Sequence, residues 1–569
     1  MHDLIIKGGT VVDGVGSEPI TADVAVTDGI ITEVGRVDGP AQRTISADGL
    51  TVMPGIVDIH THFDGQITWD PLLTPSCWHG VTTVVMGNCG VGFAPVIPER
   101  REWLIGLMEG VEDIPGSALS EGIRWSWETY PEYLDAVEHA SKALDVGSFI
   151  PHGAVRAYVM GERGAKNEPA TAEDIAAMAE IVRAGMLAGG LGFSTSRTIA
   201  HMAIDGEPVP GTFAARDELF GIGSVLGELN AGVFELAPAG ALGEDLAAPD
   251  REMAWMRDLA EAIKRPVMFA LLQNDHDPDA WSKMLDLCAE AQAEGIPIYP
   301  QVAGRPINLL LGLGTFHPFA YCPSWGMLGL APIEEKVARM GDPAFRATLL
   351  AEAEQIDPTF AQFLEPSGVY VMGTEPSYEP AAADSIAARA RSNGCSPMEE
   401  FYDRLLDEQG HAFLMRPLLN FSDGNLDAVR TMLAHPATVW GLGDGGAHCG
   451  TTCDASVPTT MLMHWARDRA EGIALEEIVR KMTSATADLM GLGDRGRLMP
   501  GAIADVNLVD LEGLRMDRPE LVHDLPGGAK RFVQRSHGWK MTIKSGDVFM
   551  EDGIDTGVRN GMLLRGARS

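Results

Sequence analysis

Two textures alternate along the chain. At both ends, short apolar runs are broken by glycine turns. Near the start, Leu4–Ile6, Thr10–Val12, Asp23–Val26 and Ile30–Val34 read as strands separated by Lys7-Gly8-Gly9, Asp28-Gly29 and similar turns. Near the end, Ala504–Val509, Met541–Lys544 and Asp547–Met550 repeat that pattern. The long middle differs. Apolar runs at Ile56–Ile59, Thr82–Met86, Gly147–Ile150, Leu191–Ser194, Val233–Leu236, Val267–Leu271, Ile296–Tyr299 and Val439–Leu442 are separated by helical patterns. Ala172–Leu187 is the clearest helix, with Ile175, Met178, Ile181 and Val182 at helical spacing and Thr171 placed to cap it.

Strands that alternate with helices over this length predict an α/β fold, a (β/α)8 TIM-like barrel. The β-rich ends predict one small β-sandwich built from both termini. The expected division is residues 1–53 and 496–569 for the sandwich and 54–495 for the barrel. Insertions are expected at about 97–140 and 305–430. The first carries Trp103, Trp125 and Trp127, the second Phe316, Phe319, Tyr321, Trp325 and Tyr370. Such insertions form lids or specificity walls, or their aromatics simply pack them onto the barrel.

Composition narrows the function. With 569 residues the chain has room for a large core and at least two domains. Its net charge of -37, from 43 basic and 80 acidic residues, argues against nucleic-acid binding. No apolar run reaches transmembrane length, and the N-terminal MHDLIIKGGTVVDG lacks the basic and apolar regions of a signal peptide. The expectation is a cytoplasmic protein without membrane partners, and a homo-oligomer is a fair guess for a large barrel. Seven cysteines, an odd number, give no disulfide framework. Cys449 and Cys453 lack the second pair that a zinc knuckle needs.

The candidate chemistry sits at strand ends. Pro54-Gly55 precedes an apolar strand that runs into His60-Thr61-His62. Residues i and i+2 of a strand share a face, so His60 and His62 can offer two imidazoles to one metal ion. The strand after it ends in Asn88-Cys89-Gly90, where Cys89 is either a further ligand or a small buried thiol at a tight turn. The last strand runs into Gly443-Asp444-Gly445. Asp444 can bind metal and take a proton from water, or it is an Asp-Gly turn. Arg197 and Arg305 are candidates for a substrate carboxylate, and His152 and Arg156 for substrate binding or support of the site. Each arginine can equally be a structural ion pair. His448 and His464 either support the metal shell or are hydrogen-bonded core histidines.

Together these motifs, with Pro151-His152-Gly153-Ala154-Val155-Arg156, Gly192-Phe193-Ser194-Thr195-Ser196 and Pro500-Gly501-Ala502, resemble the amidohydrolase superfamily over nearly the whole chain. Within it they resemble the D-aminoacylase (N-acyl-D-amino-acid deacylase) branch. The resemblance implies that His60, His62 and Asp444 bind metal, that Cys89 is a ligand in the neighbouring subsite, and that Asp444 is the general base and then the acid. The branch places further histidines at the ends of strands five and six. The matching runs here, Val233–Pro238 and Phe269–Asn274, contain none, and Glu235 and Gln273 are their nearest polar residues. His276 falls in a loop, and no strand-four lysine can bridge two metals, since Lys166 lies in a loop. One Zn2+ per chain is therefore expected, with two or another divalent metal as alternatives. The expected reaction is hydrolysis of a C–N amide bond in a small acyl substrate such as an N-acyl-D-amino acid. Ester, lactone or C–C hydrolysis and a non-catalytic binding role are the competing readings.

Overall fold

Parallel strands buried on both faces need no polar alternation, and the eight apolar runs of the middle segment have that character. The structure, a computed structural model that describes residues 1–356 and 364–566, joins them into one parallel sheet. The strands are Ile56–Asp58, Val81–Met86, Asp145–Pro151, Gly192–Ser196, Val233–Ala237, Val267–Ala270, Ile298–Val302 and Val439–Trp440, adjacent in space in their chain order. The ring closes just beyond the strand ends. Asp444 N–H donates to the His60 carbonyl at 3.0 Å, and His62 N–H donates to the Gly445 carbonyl at 2.8 Å.

Helices cover the outside. Ala172–Ala188 starts at a capping box formed by Thr171 and Asp174 and stops at Gly189, whose φ of 115° an L side chain would resist. Met178, Val182, Gly185 and Met186 are its buried stripe.

The two chain ends meet in one nine-stranded sheet. Val506–Val509 pairs antiparallel with Thr51–Pro54, so the strand that enters the barrel lies beside one that follows it. Leu4, Ile6, Val24, Val52, Val506, Leu508 and Ile543 form its own apolar core. The two runs expected at Leu4–Ile6 and Thr10–Val12 are one strand, His2–Val11, with a register shift between Ile6 and Gly9. A fully buried charge cluster ties this sheet to the barrel. Asp145, on barrel strand three, pairs with Arg495 and with Lys544 (3.0 Å), and Lys544 also meets Asp505 at 3.0 Å.

Both insertions have internal structure. The first supplies helices Arg101–Glu112, Gly116–Gly122 and Tyr130–His139. The second contains a small sheet of Ile307–Leu311, Phe413–Leu419 and Tyr370–Met372. Most of the aromatics noted in the sequence pack these insertions. Trp125 and Trp127 lie with ring centroids 5.3 Å apart, and Phe319 packs edge-on to Tyr402 at 5.3 Å. Among the described residues no helix is long and apolar enough to cross a membrane.

Candidate metal centre and cavity

Three barrel-strand ends converge on one point. The strand before the dihistidine stops at Asp58, but the chain stays extended because Thr61 N–H donates to Val85 O at 3.1 Å on one side while Asp444 and Gly445 bond it on the other. His60 and His62 thus keep the i, i+2 relation, with ring centroids 5.4 Å apart. Asn88 donates to Thr61 O (3.2 Å) and Val85 O (3.0 Å), which pins the second strand's turn against the dihistidine. Cys89 then turns inward with φ +56°. Asp444 (φ +45°) and His448 (φ +52°) also occupy the left-handed region, a cost that clusters at functional sites.

The donor atoms are spaced for one ion. His60 Nε2 lies 3.4 Å from Cys89 Sγ and 3.4 Å from Asp444 Oδ1, and His62 Nε2 lies 3.7 Å from that same oxygen. Around a tetrahedral zinc, with bonds of about 2.0 Å to N or O and about 2.3 Å to S, neighbouring donors sit about 3.3–3.6 Å apart. Among the described residues, His60, His62 and Cys89 form a buried group whose ligand atoms all lie within 4.8 Å of one another. The far nitrogens face other polar groups. His60 Nδ1 faces Gln301 Oε1 at 3.2 Å, and His62 Nδ1 faces Glu112 Oε1 at 3.4 Å. A ring that donates from Nδ1 presents a lone pair at Nε2, the tautomer a metal ligand needs. The residues therefore fit a divalent ion such as zinc.

The electrostatics favour a cation at the same point. Burial pushes Asp58 and Glu235 up to about 8, and Asp64 up to about 7. Burial drives His60 down to about 4. It also opposes charge on His62, but Glu112 and Asp444 outweigh it and carry that ring up to about 9. Asp444 is opposed by burial too, yet the neighbouring His62, His60 and His448 hold it below the usual carboxylate range. Burial, followed by Glu235, Glu112 and Asp444, raises the Cys89 thiol well above its ordinary value, so a metal there would displace a proton.

Above this point opens a cavity of about 490 Å³. Its floor holds His60, His62, Cys89 and Asp444, and most of its wall is apolar, including Val111, Leu272, Ile307, Leu418 and Leu442. His201, His276, His448 and Arg416 supply polar groups, and Arg416 lies 3.5 Å from Asp275.

Four residues expected to touch substrate are placed elsewhere. His152 is fully buried between Thr195 Oγ1 (2.8 Å) and Glu218 Oε1 (3.1 Å), and Arg156 shares that carboxylate at 2.8 Å. Arg197 donates to the carbonyls of Thr212 and Ala214 and pairs with Glu252. Arg305 meets Asp454 at 3.0 Å and stacks over Tyr378 at 3.8 Å. Each guanidinium is consumed inside the fold, and none of the four lines the cavity. His464 pairs with Glu379 (3.0 Å), while His448 lies on the cavity wall. Gln273 turns away to Asp423 at 2.8 Å. Glu235 sits beneath the site, accepting Cys89 N–H at 3.0 Å, with its other oxygen 3.9 Å from His60 Nδ1.

Gln301, Glu112, His201 and Arg416 did not emerge from the sequence. Gln301 was within reach, since it follows the seventh apolar run at a strand's C-terminal end. Glu112 and Arg416 lie in insertions, where no strand periodicity marks them.

A family model described as "Amidohydrolase family" matches residues 43–550. An uncharacterized protein of Mycobacterium tuberculosis is 25% identical over 99% of this chain and 96% of its own length. The N-acyl-D-glutamate deacylase of Alcaligenes xylosoxydans xylosoxydans is 26% identical over 90% of this chain and 88% of its own. Among solved structures, a D-aminoacylase superposes with a TM-score of 0.67 at 23% identity, covering 99% of this chain and all of the other, and it is described as having a binuclear metal center with one-metal activation and second-metal attenuation.

Proposed function

The chain belongs to the amidohydrolase family, and on that premise we propose that it is a divalent-metal-dependent hydrolase of an N-acyl compound, of the D-aminoacylase branch. The substrate that suits it best is an N-acyl-D-amino acid with apolar groups. The observation that carries this reading is that Asp444 lies 3.4 and 3.7 Å from His60 and His62, and Cys89 3.4 Å from His60, on the floor of an apolar cavity.

When bound, zinc would lower the pKa of a water molecule and polarise the scissile carbonyl. Gln301, at 3.2 Å from His60 Nδ1, holds that imidazole with Nε2 turned inward. Asp444 is ionised at neutral pH, partly open to the cavity, and placed to accept a proton from water and return it to the leaving amine. The apolar walls take the acyl chain and exclude water. Arg416, on the wall, is the guanidinium that a substrate carboxylate would meet. One metal is favoured over two, because strands five, Val233–Ala237, and six, Val267–Ala270, carry no histidine where the branch does.

The test is turnover of paired N-acyl-D- and N-acyl-L-amino acids, with matched esters, by the zinc-loaded protein. The expected result is amine release selective for the D-series, lower by at least about a hundredfold in Asp444→Asn. Turnover of esters without the matched amides, or undiminished activity in Asp444→Asn, would contradict the proposal.

A further inference from the structure

Glu112 ends the helix Arg101–Glu112 in the first insertion, remote in sequence from every strand that builds the metal centre. Its side chain is nevertheless buried against the dihistidine, with Oε1 3.4 Å from His62 Nδ1. Neither of those two atoms has a hydrogen-bond partner of standard geometry, so each is the nearest answer to the other's need. Glu112 Oε2 lies 3.9 Å from His448 Nε2. A carboxylate taken out of water is costly unless paired, and its ion-pair partners are these two imidazoles.

The backbone fixes this placement. The Glu112 carbonyl accepts the His448 N–H. Asp113 turns the chain with φ +52°, and its Oδ2 accepts Gly450 N–H and the Thr451 hydroxyl, both at 2.9 Å. The end of the insertion helix is thus fastened to the loop that follows Asp444. His60 takes its support from barrel strand seven through Gln301, whereas His62 takes its support from the insertion.

We propose that Glu112 is a positioning residue for His62. By accepting the Nδ1–H it fixes the tautomer and ring angle that turn Nε2 toward the metal, and so makes the first insertion part of the metal centre. This rests on the metal-site reading above.

The test is zinc affinity of the full-length apo-protein, measured by competition with a chromophoric chelator, together with the visible spectrum of the cobalt(II)-loaded protein. Glu112→Ala is expected to bind zinc about 10–100-fold more weakly and to alter the cobalt spectrum. Glu112→Gln keeps an acceptor oxygen in place and is expected to restore most of both. Should the alanine chain fail to fold, Glu112→Asp, which withdraws the oxygens by one methylene, is expected to show the same loss. Affinity in the folded alanine or aspartate variant within about threefold of wild type, below the range for such supports, would overturn the inference. So would equal weakness of the alanine and glutamine variants. A wild type that binds no zinc would sink the metal-site reading itself, which is distinct from a normal wild type with indifferent variants.

Discussion

Residue type marked the donor groups that meet at the cavity floor but not the fate of the arginines. His60, His62, Cys89 and Asp444 were legible because each follows an apolar run, and strand ends in a barrel face one mouth. A guanidinium carries no such address, since its role depends on which carboxylate the fold brings to it. Arg156 met Glu218 from the helix Arg216–Leu229, and Arg305 met Asp454. The Glu218 cluster therefore makes a stability prediction. Burial raises Glu218, but His152 and Arg156 outweigh it and bring the carboxyl down to about 2 from an ordinary 4.5. A carboxyl depressed in the folded state contributes stability that is fully present above pH 4.5 and is lost as pH falls toward about 2. Glu218→Gln should lower stability at neutral pH by about 3–5 kcal/mol, because it leaves Arg156 buried without its counter-charge. It should also flatten the pH dependence of the urea midpoint across that window. An unchanged midpoint and slope would mean the cluster is not structural.

At the scale of elements, the eight barrel strands were readable because parallel strands buried on both faces appear as unbroken apolar runs. The eighth was read four residues long and is only Val439–Trp440, since backbone pairing to the His60–His62 segment takes over beyond it. The insertions were legible as interruptions and not in content. The strand Phe413–Leu419, which brings Arg416 and Leu418 to the cavity, has no alternation that separates it from its surroundings. Turns gave a sharper signal. In Asn88-Cys89-Gly90, Gly90 has φ +71°, and a Cβ there would lie 2.8 Å from the Ser196 amide nitrogen and Thr195 Cα. Gly206 has φ +84° with nothing within 4 Å. Gly206→Ala should cost about 1 kcal/mol from backbone conformation alone. Gly90→Ala should cost roughly 3 kcal/mol or more, because strain and collision add. Chemical denaturation of the two variants checks this, and equal costs would mean that the Cys89 turn has slack.

Across the whole molecule, the two β-rich ends of shared texture meet in one nine-stranded sheet, yet the means of attachment was hidden. Asp145 lies far in the chain from Arg495, Asp505 and Lys544, and the fold brings them together. The same holds for the centre, where strands one, two, seven and eight and one insertion each contribute a group. The most direct test is the zinc content of the purified full-length protein after incubation with zinc and removal of the excess, for wild type and His60→Ala. The account predicts about one zinc per chain in wild type, as expected of a single donor set, and its loss in the variant. No bound zinc in wild type, or the same content in both, would contradict it.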